Sequence, residues 1–179
     1  MGGIGRAPVI GDAFGQILQR CWDAGVVPGA AFEVIEREDG YVGVNDALCY
    51  FTPFEELTPL DLWACEQVNG RALDIGCGAG RHSPAVQALG HETVGMDSSA
   101  GAVRVARERG VTALVGTFED VPLNLGPFGS LLLLGNNLGL LGGRDNARAA
   151  LERLAGAVGP GTRLVGSESP TLRTLHDVE

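Results

Sequence analysis

The sequence predicts an α/β fold in which a parallel sheet is covered by helices on both faces. Three observations carry that expectation. From Arg71 onward, short apolar runs alternate with amphipathic stretches; the first run ends in the glycine-rich segment Leu73-Asp74-Ile75-Gly76-Cys77-Gly78-Ala79-Gly80; and an acid, Asp97, stands at the end of the second run. Alternation of this kind builds right-handed βαβ crossovers, and a ligand then belongs at the carboxyl ends of the strands, near the switch in strand order.

The elements follow in order along the chain. Residues 1–11 are Gly-rich. Asp12 is placed to cap a helix over residues 13–24, with Phe14, Ile17, Leu18, Cys21 and Trp22 on one side. Residues 32–45 read as two short strands joined at Glu38-Asp39-Gly40, and Thr58 followed by Pro59 marks a helix running to about Val68. Then come a buried strand at Ala72–Ile75, a helix over 81–89, a strand at Glu92–Met96, a helix at Ser99–Arg109 and a strand at Thr112–Val115. A strongly apolar strand at Ser130–Leu134 precedes a helix over Arg144–Val158, with Ala147, Ala150, Leu151 and Leu154 inward, and a fifth strand at Arg163–Val165. The expected order of these five strands is 3-2-1-4-5. Residues 1–50 read as an N-terminal extension, a small α/β segment, and 51–179 as the main domain.

Composition narrows the function. A chain of 179 residues, 45% hydrophobic and 20% charged, suits one domain with a sizeable core. No apolar run reaches the roughly 18–20 residues of a membrane span, and Met1–Pro8 lacks a signal-like apolar segment, so a cytoplasmic protein without a membrane partner is expected. A formal net charge of −9 argues against nucleic acid, whose binding relies on clustered cations. Every strong cation is an Arg, which excludes lysine Schiff-base chemistry. The four cysteines, Cys21, Cys49, Cys65 and Cys77, are widely spaced and expected to be buried thiols; with His82, His91 and His176 they show no metal-ligand spacing, so no metal is expected.

The glycine segment is the most informative. Glycines let the chain turn tightly and let a ligand lie against bare main chain, while the N–H groups of the turn and of the helix start are donors to an anion. The spacing from Gly76 to Gly80 is GxGxG, not the GxGxxG of dinucleotide folds, which points to a ligand with one ribose and a zwitterionic tail. Asp97, about twenty residues on, stands where an acid accepts hydrogen bonds from ribose hydroxyls; by itself it could equally cap the helix that follows. On the ribose reading, removing its carboxylate should weaken the ligand with little effect on stability.

With LDIGCGAGRH, VGMDSS, GTFEDVPL and LLLLGNNLGLLG in this order, residues 50–168 resemble the class I S-adenosylmethionine-dependent methyltransferases, whose fold is Rossmann-like. The resemblance implies a cofactor, S-adenosylmethionine, with S-adenosylhomocysteine as product. It implies that Asp74, Gly76, Cys77, Gly78 and Gly80 form the turn under the methionine and ribose, that Asp97 holds the ribose diol, and that Ser98, Thr117, Phe118 and Glu119 meet the adenine. Gly135, Asn136 and Asn137 match the backbone near the methionine, and Tyr50 either covers the cofactor or is a packed aromatic. His82 is the candidate catalytic base, its alternative being an ordinary surface role; Glu119 and Asp120 could equally be a solvated acidic turn.

The expected function is methyl transfer to a small-molecule acceptor. The alternative is a methyltransferase-fold protein that binds S-adenosylmethionine or S-adenosylhomocysteine without methylating, such as a cyclase, an isomerase or an inactive partner subunit; a nicotinamide oxidoreductase is disfavoured by the glycine spacing. Asn136-Asn137 is not the NPPY or DPPY type of many amino methylators, so the accepting atom stays open. The family sheet continues past its fifth strand with a helix and two more strands, whereas eleven residues follow Glu168 here. A bare edge at the fifth strand, and a homodimer formed across it, are expected.

Overall fold

The computed structural model describes residues 11–38 and 40–167. Helix α1 spans Ala13–Asp23, and the antiparallel pair β1 (Phe32–Glu36) and β2 (Val42–Asp46) follows it. A 3-10 turn at Ala47–Phe51 leads towards α2 (Pro59–Glu66), which Thr58 caps by accepting from Asp61 N–H. The main sheet is built from β3 (Ala72–Ile75), β4 (Thr93–Asp97), β5 (Thr112–Val115), β6 (Phe128–Leu133) and β7 (Val158–Gly166). Helices α3 (Ser83–Ala88), α4 (Ala100–Glu108) and α5 (Gly143–Leu154) connect them.

The five strands lie in the order β5-β4-β3-β6-β7, every pairing parallel. Numbered within the sheet, this is the expected 3-2-1-4-5. All residues of β3 and β4 are buried, as a sheet covered on both faces requires. On one face Ala72, Leu132 and Leu134 pack on Ala64, Cys65, Ala85 and Val86 of α2 and α3. Val103 and Ala106 of α4 pack with Cys77 and Ala113 on that same side of the register. On the other face Leu73, Ile75, Met96, Leu131 and Leu133 meet Leu154 and Ala157. Among the described residues, no helix is long and apolar enough to cross a membrane.

Several element boundaries differ from the expectation. Helix α3 begins only at Ser83, because Arg81 and His82 still belong to the glycine turn. Helix α5 stops at Leu154, where a 3-10 turn at Ala155–Ala157 takes over, and β7 is correspondingly longer than Arg163–Val165. Leu151, expected inward, is 42% exposed: the buried stripe of α5 is narrow and runs through Ala150 and Leu154. Strand β7 forms an end of the sheet, and the expectation about residues 169–179 beside it lies outside the described residues.

The N-terminal segment joins the sheet through a close helix crossing. A Cβ on Gly101 of α4 would come within 2.8 Å of Gly15 Cα in α1, so the two backbones pass without a side chain between them. Asp12 secures the crossing. Its carboxylate accepts from Gly15 N–H at 2.9 Å, capping α1, and reaches α4 by accepting from Ser99 Oγ–H at 2.6 Å and Gly101 N–H at 2.9 Å. Burial pushes the Asp12 carboxyl up, but these three hydrogen bonds and the charge of Arg104 outweigh it and hold the group below its usual range.

Asp12→Ala removes both the cap and the tie to α4 and should cost about 2–3 kcal/mol at neutral pH, read from urea unfolding. A carboxylate whose folded value is depressed contributes stability above its unfolded value and loses it as pH falls through the folded one. The difference between wild type and Asp12→Ala should therefore shrink once the pH drops below the usual 3.8.

Candidate functional site

The carboxyl ends of β3, β4 and β6 converge on a cleft of about 600 Å³. Its floor is the turn after β3. Gly76 has φ +74° and Gly78 φ +55°, left-handed conformations that favour glycine. A Cβ at Gly76 would also lie 2.4 Å from Asn137 Nδ2, so a side chain there would displace that amide. That amide donates to Gly76 C=O at 2.7 Å and to Ile75 C=O at 3.3 Å, tying the segment after β6 to the floor.

Asp97 makes the matching tie from β4. One carboxylate oxygen accepts from Gly78 N–H at 2.9 Å and the other from Ser99 N–H at 2.8 Å. The cap of α4 is Ser99, whose side chain accepts from Ala102 N–H, so Asp97 is not the helix cap. A carboxylate has about four lone-pair positions, and two remain for a bound hydroxyl pair.

Of the residues singled out from the sequence, Gly76, Cys77, Gly78, Asp97 and Ser98 line the floor and its β4 side. Thr117 and Phe118 line it after β5, Gly135, Asn136 and Asn137 after β6, and Tyr50 and His82 form walls. Three others are placed elsewhere. Asp74 is fully buried beneath the turn, where it accepts from Ser83 Oγ–H at 2.6 Å; burial pushes its carboxyl up, against the pull of His82 and of that hydrogen bond. Gly80 faces α4 and Val111, where a Cβ would meet Val111 at 2.9 Å. Glu119 pairs with Arg153 of α5 at the surface. Cys77 is a buried thiol pushed up by burial and then by Asp74 and Asp97. Cys49, expected buried, is exposed at the mouth of the cleft.

The N-terminal segment closes one side. Tyr50 packs edge-to-face on Phe14, with ring centroids 5.0 Å apart, and donates its hydroxyl to Glu33 at 2.7 Å. Burial and then that carboxylate push the Tyr50 hydroxyl up, so it remains a donor. Tyr50 is thus both a packed aromatic and a wall of the cleft. Phe14 and Asn45 also line it. The sequence carried no signal for them, because their place depends on the crossing of α1 over α4.

Another part of the cleft wall, at Arg81 and His82, belongs to a polar cluster that the sequence did not reveal. Asp61 of α2 accepts from Arg81 Nη2 at 2.8 Å and lies 3.2 Å from His82 Nε2. Its hydrogen bond with His82, helped by Thr58 and Arg81 and opposed by burial, holds the Asp61 carboxyl down to about 2. The His82 side chain is 8% exposed, not a surface histidine.

Residues 72–161, the glycine turn and the strands around it, match a family described as a methyltransferase domain. The chain belongs to this family. Its fold is similar to that of a SAM-dependent methyltransferase from Bacteroides fragilis, crystallised with S-adenosyl-L-homocysteine, at a TM-score of 0.73 and 22% identity. That match covers 87% of this chain and 64% of the other. The CcbJ methyltransferase from Streptomyces caelestis is similar at a TM-score of 0.51 and 21% identity, over 62% of this chain and 49% of the other. At these identities the likeness is one of fold, and the chain spans less than two thirds of either relative. A comparison with curated proteins gives no match.

The two bonds made by Asp97 change the expectation for its removal. Asp97→Ala leaves Gly78 N–H buried without its acceptor, and should cost about 1–3 kcal/mol of stability, measured as a lower urea midpoint without any ligand.

Proposed function

We propose that this methyltransferase-family chain binds S-adenosylmethionine in the cleft and transfers its methyl group to a small-molecule acceptor. The observation that carries the reading is the glycine floor at Gly76 and Gly78 with the Asp97 carboxylate hydrogen-bonded beside it, in a cleft of about 600 Å³, within the range of roughly 300–1,000 Å³ typical of small-molecule sites. The residues present fit the cofactor. At Gly78 a Cβ would occupy the floor, with the Phe14 ring 3.7 Å beyond it. Asp97 keeps free lone pairs for a ribose diol. Ser98, Thr117 and Phe118 line the side suited to an adenine, and Gly135 and Asn136 the turn where donor and acceptor would meet.

When bound, the cofactor supplies a methyl carbon already activated on a sulfonium. What remains for the chain is to position two molecules and exclude water, and such positioning supplies a large part of a barrier reduction. The main-chain N–H and C=O groups of the floor are held rigid by Asn137 and Asp97. Tyr50 and Phe14 shield the cleft from one side, and His82 stands as the base for an acceptor that arrives protonated. Cytoplasmic location and self-association across the outer edge of β7 belong to the same proposal. Light scattering at several concentrations checks the second: a dimer is expected, and a monomer throughout overturns it.

S-adenosylhomocysteine at about 100 times its dissociation constant should stabilise the protein by roughly 2.7 kcal/mol and raise its melting temperature. A shift with NADH and none with S-adenosylhomocysteine would refute the reading.

A further inference from the structure

The cluster of Asp61, Arg81 and His82 is more organised than a wall that only excludes water. Asp61 divides its two oxygens. Oδ2 accepts from Arg81 Nη2 at 2.8 Å and from Thr58 Oγ–H at 2.9 Å, while Oδ1 faces His82 Nε2 at 3.2 Å. An ionised carboxylate only accepts, so in the neutral imidazole the proton sits on Nε2 and the lone pair on Nδ1. The ring lines the cleft, its Cε1 beside the Gly135 turn, 3.8 Å from the position of a Cβ there. Among the described residues, Arg81 Nε is a buried donor without a hydrogen-bond partner, and Arg81 lines the cleft beside His82. The titratable and charged groups around the imidazole are Asp61 from α2, Asp74 from β3 and Arg81 next to it in the chain, and Cys49 and Tyr50 lie within electrostatic reach of Arg81.

We infer that Asp61 positions His82 as the base for an acidic hydroxyl acceptor, a phenol or enol, whose oxygen lies beside the Arg81 guanidinium. This rests on the methyl-transfer reading and names the acceptor class. A phenol in water loses its proton near pH 10, so at neutral pH the acceptor arrives protonated. In the step, the acceptor O–H bond breaks and its proton goes to the Nδ1 lone pair; the electron pair left on oxygen would form the bond to the methyl carbon as the methyl–sulfur bond breaks, that bond's electrons leaving on sulfur in the neutral thioether, S-adenosylhomocysteine. The imidazolium, steadied by Asp61, later returns its proton to solvent. The guanidinium favours a developing oxyanion and disfavours an ammonium acceptor by like charge. A carboxylate acceptor is already ionised and has no use for the base.

The test is Asp61→Asn. Arg81 and Thr58 both donate to the Oδ2 position, so they orient the new amide with its oxygen towards them and its NH₂ towards His82. Nε2 must then accept, and the ring proton moves to Nδ1. Ring ¹⁵N NMR of the ligand-free protein, at a pH where His82 is neutral, should show the Nε2–H tautomer in wild type and the Nδ1–H tautomer in Asp61→Asn. Wild type in the Nδ1–H form, or one tautomer in both proteins, overturns the positioning role. Calorimetry should find S-adenosylhomocysteine affinity within about threefold of wild type; loss of binding in wild type itself would reject the methyltransferase reading while the NMR result still decides the dyad. With S-adenosylmethionine and a panel of catechol, 4-nitrophenol, benzylamine and benzoate, methyl transfer should occur to a phenol oxygen, with kcat about 100-fold lower or less in Asp61→Asn and KM little changed. His82→Gln should lose rate in the same way and serves if Asp61→Asn does not fold. Transfer to benzylamine or benzoate in preference, or to none of the four, overturns the hydroxyl class.

Discussion

Two hydrogen bonds to one carboxylate hold the working end of this molecule together. Asp97, at the end of β4, accepts from Gly78 N–H in the turn after β3 and from Ser99 N–H at the start of α4. Parallel strands all end at the same edge, where the chain must leave the sheet; Gly76 and Cys77 N–H still reach Met96 C=O, and Gly78 N–H lies beyond that backbone pairing. A buried turn with left-handed glycines can persist only if its exposed N–H groups find acceptors. Asp97 provides one from the β4 side, while Asn137 does the complementary work after β6 by donating to the carbonyl groups of Ile75 and Gly76. The floor of the cleft is thus braced from both neighbouring strands, and both braces lie where a ligand would be held.

The walls of the cleft are built differently. One is supplied by the N-terminal segment, which reaches the cleft because α1 crosses α4 at Gly15 and Gly101 and is pinned by Asp12. The hairpin of β1 and β2 contributes through Glu33, which receives both Tyr50 and Asn45. The other wall is polar: Asp61 gathers Thr58 from the start of α2, and Arg81 and His82 from the end of the glycine turn. Taking charges out of water is costly unless they are paired, and Asp61 is compensated on both oxygens. Beneath them Asp74 is buried, with Ser83 as its hydrogen-bonding partner among the described residues, and burial pushes its carboxyl up. Two acids that both interact with His82 are therefore set apart by environment, one held ionised to about 2 and one driven towards the neutral form.

Local pattern by itself determined the architecture. Apolar runs bounded by turns, glycines at Gly76, Gly78 and Gly80, and caps at Asp12 and Thr58 each act within a few residues, so they can be read along the chain; the five strands and their order followed from them. The glycine turn and Asp97 were legible for the same reason, since strand ends in a parallel sheet are bound to meet. Tertiary structure decided what depends on residues distant in the chain. Asp74 and Gly80 share the motif with Gly76 and Gly78, yet one serves the interior and the other the packing of Val111, because successive residues of a strand end and its turn face different neighbours. Asp61 lies twenty residues from Arg81 and carries no motif, and only the packing of α2 against α3 brings its carboxylate to His82. Hydrogen bonds act over about 3 Å whatever the separation in sequence, and for that reason the fold was written in local spacing while the polar wall of the cleft was settled by three-dimensional packing.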